Sequence, residues 1–520
     1  MEMRCTGIRA KDGHTVPVLQ KEGTVRHLGS CYDGVYAAKC WADFYVSQRT
    51  ENALLFGMGD CQIILELIER VPGKILVYEP ESLVYQQMKT NALYKKVAKS
   101  HKVHFFYGAC HSEMARMIKE LLDDDWVERT MLVTHPGYQG WYQRKFDNLQ
   151  QICRQVCDDI TFMRAPLKRF TASMIRNQIA NLPKMSEGIP LRRLKTRWNP
   201  DLPVILVSAG PSLEKNVEEL KKVGGRALVW CADAALPTLL AHDVIPDLVA
   251  SVDSAKNMNC FSDPRSLSIP LLGSSNTRKE LVEKSNGTKI WGFDHEQILL
   301  MMKRAGIPLP QVPYYLGVST AMYAAAVELG AKVLILAGQD LAFGESGASH
   351  VKGREESVLQ VEKYEIEGYH GGKVWSRMDW MEFKKWFERM IVLYPDHTVI
   401  NATEGGARIQ GTKQQSLAEV IKTLPETANS FTELLLQKEN WISEEESAML
   451  GDQMHQCVTD LEMIRNWGYH KIFFEKDYRQ FPVMLMVIGY MKVLDDEREE
   501  RFEKAVAFLK EELEKGGWCE

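Results

Sequence analysis

The sequence predicts an α/β protein: a central doubly wound, Rossmann-like parallel sheet, preceded by a smaller α/β domain and followed by a helical C-terminal region. Three patterns lead to this prediction. Short, wholly apolar runs alternate with helical patterns between residues 203 and about 345, as expected of buried parallel strands. A strand–turn–helix–strand pattern occupies residues 52–81. From about residue 425 the apolar spacing and the alternating charges are helical.

These patterns divide the chain into four regions. We expect a Rossmann-like α/β domain over residues 1–165, a basic helical linker over 166–200, the central Rossmann-like domain over 201–424 and a helical domain over 425–520. Residues 346–375 are polar and rich in glycine, which favours a long mobile loop. We expect the loop from Gly344 to Lys373 to close over a site at the edge of the sheet.

Composition excludes several classes of protein. A chain of 520 residues allows about three domains. Its net charge of −5 argues against a nucleic-acid binder, and its 45% hydrophobic content excludes general disorder. The 11 cysteines include no CxxC pair, so we expect no metal site, and reduced thiols fit a cytoplasmic protein. We also expect no secretory signal and no membrane span, since long apolar runs are missing.

The first glycine turn, Gly57-Met58-Gly59-Asp60, follows a predicted strand, and Glu79 ends the next one. This spacing is typical of sites where an acid binds ribose hydroxyls, but the third glycine of the dinucleotide fingerprint is replaced by Gln62. A ligand site and a structural turn both remain open, and the turn is favoured.

A second turn, Ser208-Ala209-Gly210-Pro211-Ser212, closes the strand VILV. Gly210 would let a ligand approach the backbone, and the helix start at Ser212 would offer N–H groups to a phosphate. The alternative is a capped strand–helix junction without a ligand.

Polar residues end the other predicted strands. In an open parallel sheet, ligands bind beyond the carboxyl ends of the strands, and carboxylates, amides and hydroxyls there suit a nucleoside. These residues are Asp233, Asp253, Ser274, Asn276, Gln339 and Asp340. Gly317, Ser319 and Thr320, which open a later helix, are candidates for a second anion contact or a cap. A single Asp at a strand end is often only a helix cap.

The candidates for proton transfer are His350, His370, Glu404 and Asp340. A histidine supplies a base near neutral pH, although most loop histidines are merely solvated. The P-loop, HExxH and GxSxG motifs are missing from the sequence.

Several segments together resemble the bacterial motility accessory factor (Maf) flagellin glycosyltransferases. They are SAGPSL, IPDLVASVD, GVSTAMYAAAVELGA, GQDLAF and NATEGGARIQGT, with RHLGSCYD and ALLFGMGDCQIILEL in the first domain. The resemblance covers roughly residues 25 to 425. It implies transfer of a nonulosonic acid, such as pseudaminic or legionaminic acid, from its CMP donor to Ser or Thr of flagellin, for flagellum assembly and motility. It also implies a nucleotide-sugar-binding central domain similar in fold to bacterial sialyltransferases.

The resemblance also implies roles for individual residues. Gly210, Pro211 and Ser212 would lie at the donor phosphate, and Asp233 and Asp253 near the nucleoside. Ser319, Thr320, Gln339 and Asp340 would complete the pocket. A CMP donor carries one phosphate and needs no obligatory metal or other cofactor. The related sialyltransferases place a base histidine before a helix like WMEFKKWFERM, whereas this sequence has GKVWSRMD there.

Two other functions are compatible with the sequence. The same domain family includes archaeal 6-hydroxymethylpterin diphosphokinases, which would use ATP and magnesium. A flagellin-binding scaffold without catalysis is the other, because the helical region after residue 425 offers a surface for a partner helix.

Overall fold

A computed structural model describes residues 3–21, 23–108, 111–121, 129–312, 317–344, 347–351, 362–426, 431–436, 441–475, 480–494 and 496–518. The chain forms two compact units, Met1–Arg169 and Phe170–Glu520. The finer division at residues 200 and 424 stays a prediction.

The first unit contains two sheets. An antiparallel sheet, which the sequence analysis did not predict, comprises β1 (Arg4–Arg9), β2 (Thr15–Lys21) and β3 (Thr24–His27), in that order. The predicted parallel sheet has the order β6-β5-β4-β7. Its strands are β4 (Asn52–Phe56), β5 (Ile75–Glu79), β6 (Val103–Tyr107) and β7 (Thr130–Thr134). The helices are α1 (Gly34–Tyr45), α2 (Gln62–Arg70), α3 (Ser82–Met88), α4 (Ala92–Val97) and α5 (His111–Leu121), and the long α6 (Gln143–Met185) begins in this unit and continues into the second.

The second unit contains a nine-stranded parallel sheet within the described residues. Its strands are β8 (Ile189–Pro190), β9 (Val204–Val207), β10 (Leu228–Ala232), β11 (Leu248–Ala250), β12 (Leu271–Gly273), β13 (Lys289–Trp291), β14 (Val333–Ala337), β17 (Thr398–Asn401) and β18 (Lys413–Gln414). The spatial order is β18-β17-β14-β9-β10-β11-β12-β13-β8. After the edge strand β8, the chain enters the middle of the sheet at β9. Strands β10 to β13 then follow one another on one side of β9, and β14, β17 and β18 lie on its other side. The direction of winding therefore reverses between β9 and β14.

Helices cover both faces of this sheet, because side chains alternate along each buried strand. Leu206, Trp230 and Leu336 pack with helix α12 (Val318–Leu329) and helix α13 (Met378–Leu393). Ile205, Val229 and Ile335 face the opposite layer. That layer contains α8 (Leu213–Asn216), α9 (Leu236–Ala241) and α14 (Leu417–Lys422). The doubly wound architecture predicted from the sequence is confirmed.

The remaining helices complete the second unit. They are α7 (Leu191–Leu194), α10 (Lys279–Lys284), α11 (Glu296–Arg304), α15 (Phe431–Leu436), α16 (Glu444–Glu475), α17 (Pro482–Met491) and α18 (Arg498–Lys515). The predicted helical character after residue 425 is thus confirmed in the described residues. None of the helices in the described part of the chain is long and apolar enough to cross a membrane.

The predicted linker over residues 166–200 differs from the structure. Its end supplies the edge strand β8, and Leu191 and Leu194 of α7 are buried in the core of the sheet. Ile179 and Leu182, on α6, pack in a cluster with the C-terminal helices. The helical part of the prediction agrees with α6, whereas the end of the segment is part of the sheet and core rather than a connecting linker, because its basic residues masked the apolar periodicity.

The predicted mobile loop also differs where the structure describes it. An antiparallel hairpin comprises β15 (Tyr364–Glu367) and β16 (Lys373–Ser376), with a turn through Gly371 and Gly372. Residues 345–346 and 352–361 of the expected lid lie outside the described residues, so its closure stays a prediction.

Replacing Leu206 with Ala tests the central position of β9. Leu206 is 2% exposed, and removing a buried Leu side chain should cost about 2–5 kcal/mol of unfolding free energy. Denaturant unfolding of the second unit measures this loss. Leu393→Ala is the control, because Leu393 is 59% exposed and should change stability by less than about 0.5 kcal/mol. Equal effects of the two substitutions would contradict the described core.

Candidate functional site

A cavity of about 250 Å³ opens at the carboxyl ends of β9 and β14. This is the point where the strand order reverses, and such a crevice is where doubly wound sheets bind ligands. The lining comprises Ser208, Ala209, Gly210, Ala232, Asp233, Ala234, Asp253, Lys256, Gly317, Val318, Ser319, Gly338, Gln339, Asp340, Leu341, Ala342, Ser349, His350, Arg377, Trp380 and Phe383. Ten of the residues predicted from sequence therefore line one cavity: Ser208, Ala209, Gly210, Asp233, Asp253, Gly317, Ser319, Gln339, Asp340 and His350.

The two loops that follow β9 and β14 pack directly on each other. Gly210 N donates to Gly338 O at 2.8 Å. A Cβ on Gly338, whose φ is +64°, would lie 2.2 Å from Ser208 O, and a Cβ on Gly210 would lie 1.9 Å from Asp340 Oδ2. Glycine at both positions is therefore required by the close approach of the loops. Ser208 Oγ also donates to Gln339 Oε1 at 2.6 Å.

The helix start at Ser212 is occupied by the protein itself. Ser212 N lies 3.2 Å from Asp340 Oδ1, and Ser212 Oγ donates to Asp340 Oδ2 at 2.7 Å. A buried carboxylate thus accepts from these groups in the structure, and their contact with a donor phosphate stays a prediction. The side chain of Ser212 makes no capping bond to its own helix, and Pro211 is not part of the cavity lining.

Asp340 is a buried acid with an unusual proton affinity. Burial raises the pKa of its carboxyl to about 6, and the bonds from Ser212 offset part of that rise. The next residue, Leu341, has a φ of +50°, a left-handed conformation that costs energy for a side-chain-bearing residue. The loop is therefore held in a strained form beside the cavity.

Asp233 belongs to a buried ion pair. One carboxylate oxygen binds the ammonium group of Lys256, and the other accepts from Ser251 Oγ at 2.7 Å. Both charged side chains are less than a tenth exposed. Asp253 is exposed, and its Oδ1 accepts from Ala255 N at 2.9 Å.

Ser274 and Asn276 do not line the cavity, contrary to the prediction. Both are buried in internal hydrogen bonds: Asn276 N donates to Ser274 Oγ at 3.2 Å, and Gln178 Nε2 donates to Asn276 Oδ1 at 2.7 Å. Thr320 is buried too, and its hydroxyl donates to Gly317 O at 2.8 Å. Ser319, although in the lining, does not cap α12.

Two asparagines of α6 hold the loops beside the cavity. Asn177 Nδ2 donates to Ser254 O at 3.0 Å and to Asn276 O at 2.9 Å. One turn later, Asn181 Nδ2 donates to Ser275 O and Thr277 O at 2.9 and 2.6 Å. These bonds fix the loop between Asp253 and Lys256 against α6. Sequence reasoning missed them, although the i, i+4 spacing of two asparagines in RNQIANL was visible.

Only part of the predicted proton-transfer set lies at the cavity. His350 lines it, and its Nδ1 lies 2.8 Å from Ser349 Oγ. His370 is exposed and lies outside the lining, with Nε2 3.2 Å from Glu404 O. Glu404 Oε1 accepts from Leu417 N at 2.8 Å, so this carboxylate binds the first residue of α14 instead. His370 and Glu404 therefore lie outside the described lining, and their catalytic role stays a prediction.

The structure adds residues that the sequence analysis did not single out. Lys256, Arg377, Trp380 and Phe383 line the cavity. The last three lie at the start of α13, where RMDWMEF places them at helical spacing. A cation followed by aromatic residues at i+3 and i+6 is the signal that was available.

The first glycine turn, in the other unit, is filled by the protein's own side chains. Glu79 Oε2 accepts from Met58 N at 2.9 Å and from the hydroxyl of Tyr138 at 2.7 Å. A Cβ on Gly57 would lie 2.4 Å from the ring of Tyr138, and a Cβ on Gly59 would lie 2.2 Å from the ring of His135. Burial raises the pKa of Glu79 to about 7. The contacts favour the structural turn over a ribose site.

Comparisons with known proteins agree with this architecture. A family model described as 6-hydroxymethylpterin diphosphokinase MptE-like matches residues 176–346, about a third of the chain. Among solved structures, a MAf glycosyltransferase from Magnetospirillum magneticum AMB-1 is similar, with a TM-score of 0.57 and 15% sequence identity. The match covers 99% of this chain and 90% of that one. A search of curated proteins finds no match.

The chain has the fold of that glycosyltransferase. The resemblance inferred from the sequence motifs is thereby confirmed at the level of the fold. The family model overlaps the strands from β8 to β14, which carry most of the cavity.

Replacing Asp340 with Asn tests the buried acid. Asn keeps an oxygen for Ser212 but removes the charge. The folded wild type retains a proton up to pH about 6, whereas an unfolded Asp releases it near its ordinary pKa of 3.8. The wild type should therefore lose stability relative to Asp340→Asn as pH rises from about 4 to 6, by on the order of 2 kcal/mol. Denaturant unfolding of both proteins across this range measures the difference, and a gap independent of pH would contradict the raised pKa.

Replacing Asn177 with Ala tests the loop contacts of α6. The substitution leaves the carbonyls of Ser254 and Asn276 without their buried donor, which should cost about 1–3 kcal/mol of unfolding free energy. Denaturant unfolding checks the loss, and Asn286→Ala, at an exposed position, is the matched control. An unchanged stability of the Asn177 variant would show that these bonds do not hold the loops.

Proposed function

We propose that this protein is a glycosyltransferase that moves a nonulosonic acid from its CMP donor to Ser or Thr of flagellin. The observation that carries the proposal is the polar cavity at the reversal point of a sheet whose fold is that of a Maf glycosyltransferase. Three of the motifs that resemble this family contribute to the walls of the cavity: SAG follows β9, GVS lies at the start of α12, and GQDLA follows β14.

The donor nucleotide fits the groups at the ends of β9, β10 and β14. Gly210 lets a ligand approach the backbone, and Asp233 and Gln339 offer oxygen atoms to ribose or base. The ion pair with Lys256 offsets the cost of burying the charged carboxylate of Asp233. A donor with a single phosphate needs no paired-acid metal clamp, so we propose no obligatory cofactor.

His350 is the base that this proposal assigns. The acceptor hydroxyl would attack the anomeric carbon of the sugar, and the bond from that carbon to the phosphate oxygen would break. CMP leaves with the bonding electrons, and the hydroxyl proton passes to the imidazole of His350. Asp340 is less suited to this role, because its carboxylate is already bound by Ser212.

Flagellin as acceptor, the cytoplasmic location and the role in motility rest on the resemblance of the motifs. A direct experiment is to incubate purified protein with unglycosylated flagellin and a CMP-nonulosonic acid, and to follow the mass of flagellin. An increase by the mass of the sugar residues is expected. Unmodified flagellin with both pseudaminic and legionaminic donors would contradict the proposal.

A second candidate is supported by the family match over residues 176–346: a diphosphokinase acting on a hydroxymethylpterin. Such an enzyme would bind ATP with magnesium at the same cavity. Magnesium-dependent turnover of ATP with 6-hydroxymethylpterin, together with no binding of CMP, would favour this function over sugar transfer.

Replacing His350 with Ala distinguishes its contribution to catalysis from that of His370. Loss of a general base should lower kcat for flagellin glycosylation by about 10²–10⁴-fold, while leaving the Kd for CMP within a few-fold. His370→Ala is the matched control and should keep kcat, because His370 lies outside the cavity lining. Initial rates with saturating donor measure both. A larger loss in the His370 variant would overturn the assignment.

A further inference from the structure

Arg377 lines the cavity, and the described residues leave most of its guanidinium donors without a hydrogen bond. It immediately precedes α13, and its guanidinium carbon lies 4.1 Å from the ring centroid of Trp380. Its Nε is buried and makes no hydrogen bond, although Asp379 Oδ1 lies 2.8 Å away. That contact therefore has the distance of an ion pair without the geometry of a hydrogen bond. Among the described residues, no acceptor bonds to the two Nη groups, and a buried polar group without a partner needs an explanation.

The other charged side chains of the described lining are acidic or are already paired with an acid. Lys256 is the second cation there, and its ammonium group is bound by buried Asp233. Asp253 is acidic and exposed, and Asp340 carries a negative charge when ionised. An anionic ligand that enters this cavity would be repelled by the acids unless a cation offsets them.

The helix start at Ser212 does not supply that compensation either, because Asp340 occupies it. The position expected from the sequence to hold a phosphate is therefore taken by an acid of the protein. A guanidinium group suits the task, since its planar donors match the geometry of carboxylate and phosphate oxygens.

We propose that Arg377 binds an anionic oxygen group of the donor, either its phosphate or the carboxylate of its acidic sugar. This inference rests on the proposed function, in which the donor is a CMP-activated nonulosonic acid. Trp380 supports the guanidinium from one face, and Asp379 faces its Nε, so the Nη edge is left for the ligand. Trp380 also contacts His350, with ring centroids 6.3 Å apart, which places the anion site beside the proposed base.

Calorimetry with four ligands tests the proposal: cytidine, CMP, CMP-pseudaminic acid and CMP-legionaminic acid. Arg377→Gln removes the charge and should weaken binding of the anionic ligand by about 10- to 100-fold, as for the loss of a charged hydrogen bond. Cytidine, which has no anionic group, should bind both proteins equally. Weaker binding of CMP and the CMP-sugars alike assigns Arg377 to the phosphate. Weaker binding of the CMP-sugars alone assigns it to the sugar carboxylate.

Two further variants show whether weaker binding reflects the lost charge or a general disturbance of the fold. Arg377→Lys keeps the charge and should retain more affinity than Arg377→Gln. Arg389→Gln removes an exposed arginine from the same helix and should leave all four affinities unchanged. Wild-type affinities in the Arg377→Gln variant would overturn the anion site. Failure of the wild-type protein to bind any cytidine ligand would instead overturn the proposed function.

Discussion

The close approach of two loops, one after β9 and one after β14, is the constraint on which the rest of the site depends. Winding reverses between these strands, so no helix crosses over their carboxyl ends and a crevice is left there. The loops meet through Gly210 N and Gly338 O, at a distance that excludes a side chain on either residue. Asp340 then reaches across to Ser212 and joins the two loops a second time. The shape of the cavity follows from these contacts.

Several charged side chains of the cavity are held by partners within the protein. Asp233 is neutralised by Lys256. Burial and the bonds from Ser212 act in opposite directions on the pKa of Asp340, and the result is an acid poised near pH 6. Arg377 contacts Asp379 only through its Nε, and among the described residues no acceptor bonds to its two Nη groups. A ligand that carries both hydroxyl groups and an anionic group suits such a lining. The carboxylates can accept hydrogen bonds from the hydroxyls, and the guanidinium can pair with the anion.

The architecture was predictable from the sequence because buried parallel strands are apolar throughout and end in polar residues. That pattern located Ser208, Asp233, Gln339 and Asp340 at one edge of the sheet. It did not reveal which polar residues would bond to each other. Ser274 and Asn276 have the same local pattern as Asp233, but amides of α6 bond to Asn276, and Asn276 N in turn bonds to Ser274 Oγ. Arg377, by contrast, follows a hairpin rather than a strand of the main sheet, so the pattern of strand ends gave no indication of it.

The first unit shows that this topology does not by itself create a site. Its parallel sheet has the order β6-β5-β4-β7, so winding also reverses beside its first strand, between β4 and β7. There the ring of His135, which follows β7, lies against Gly59, which follows β4. Tyr138 and Glu79 bond to each other over the same turn. The rings of His135 and Tyr138 therefore fill the space beside the reversal point of the first unit, whereas the first residue after β14 in the second unit is a glycine. In the second unit Gly338 follows β14, and Ala342 lies in the lining. The aromatic groups of that cavity, Trp380 and Phe383, come from α13 and not from the loop after β14. The size of the residues that follow the returning strand decides whether a reversal point becomes packed core or a binding cavity.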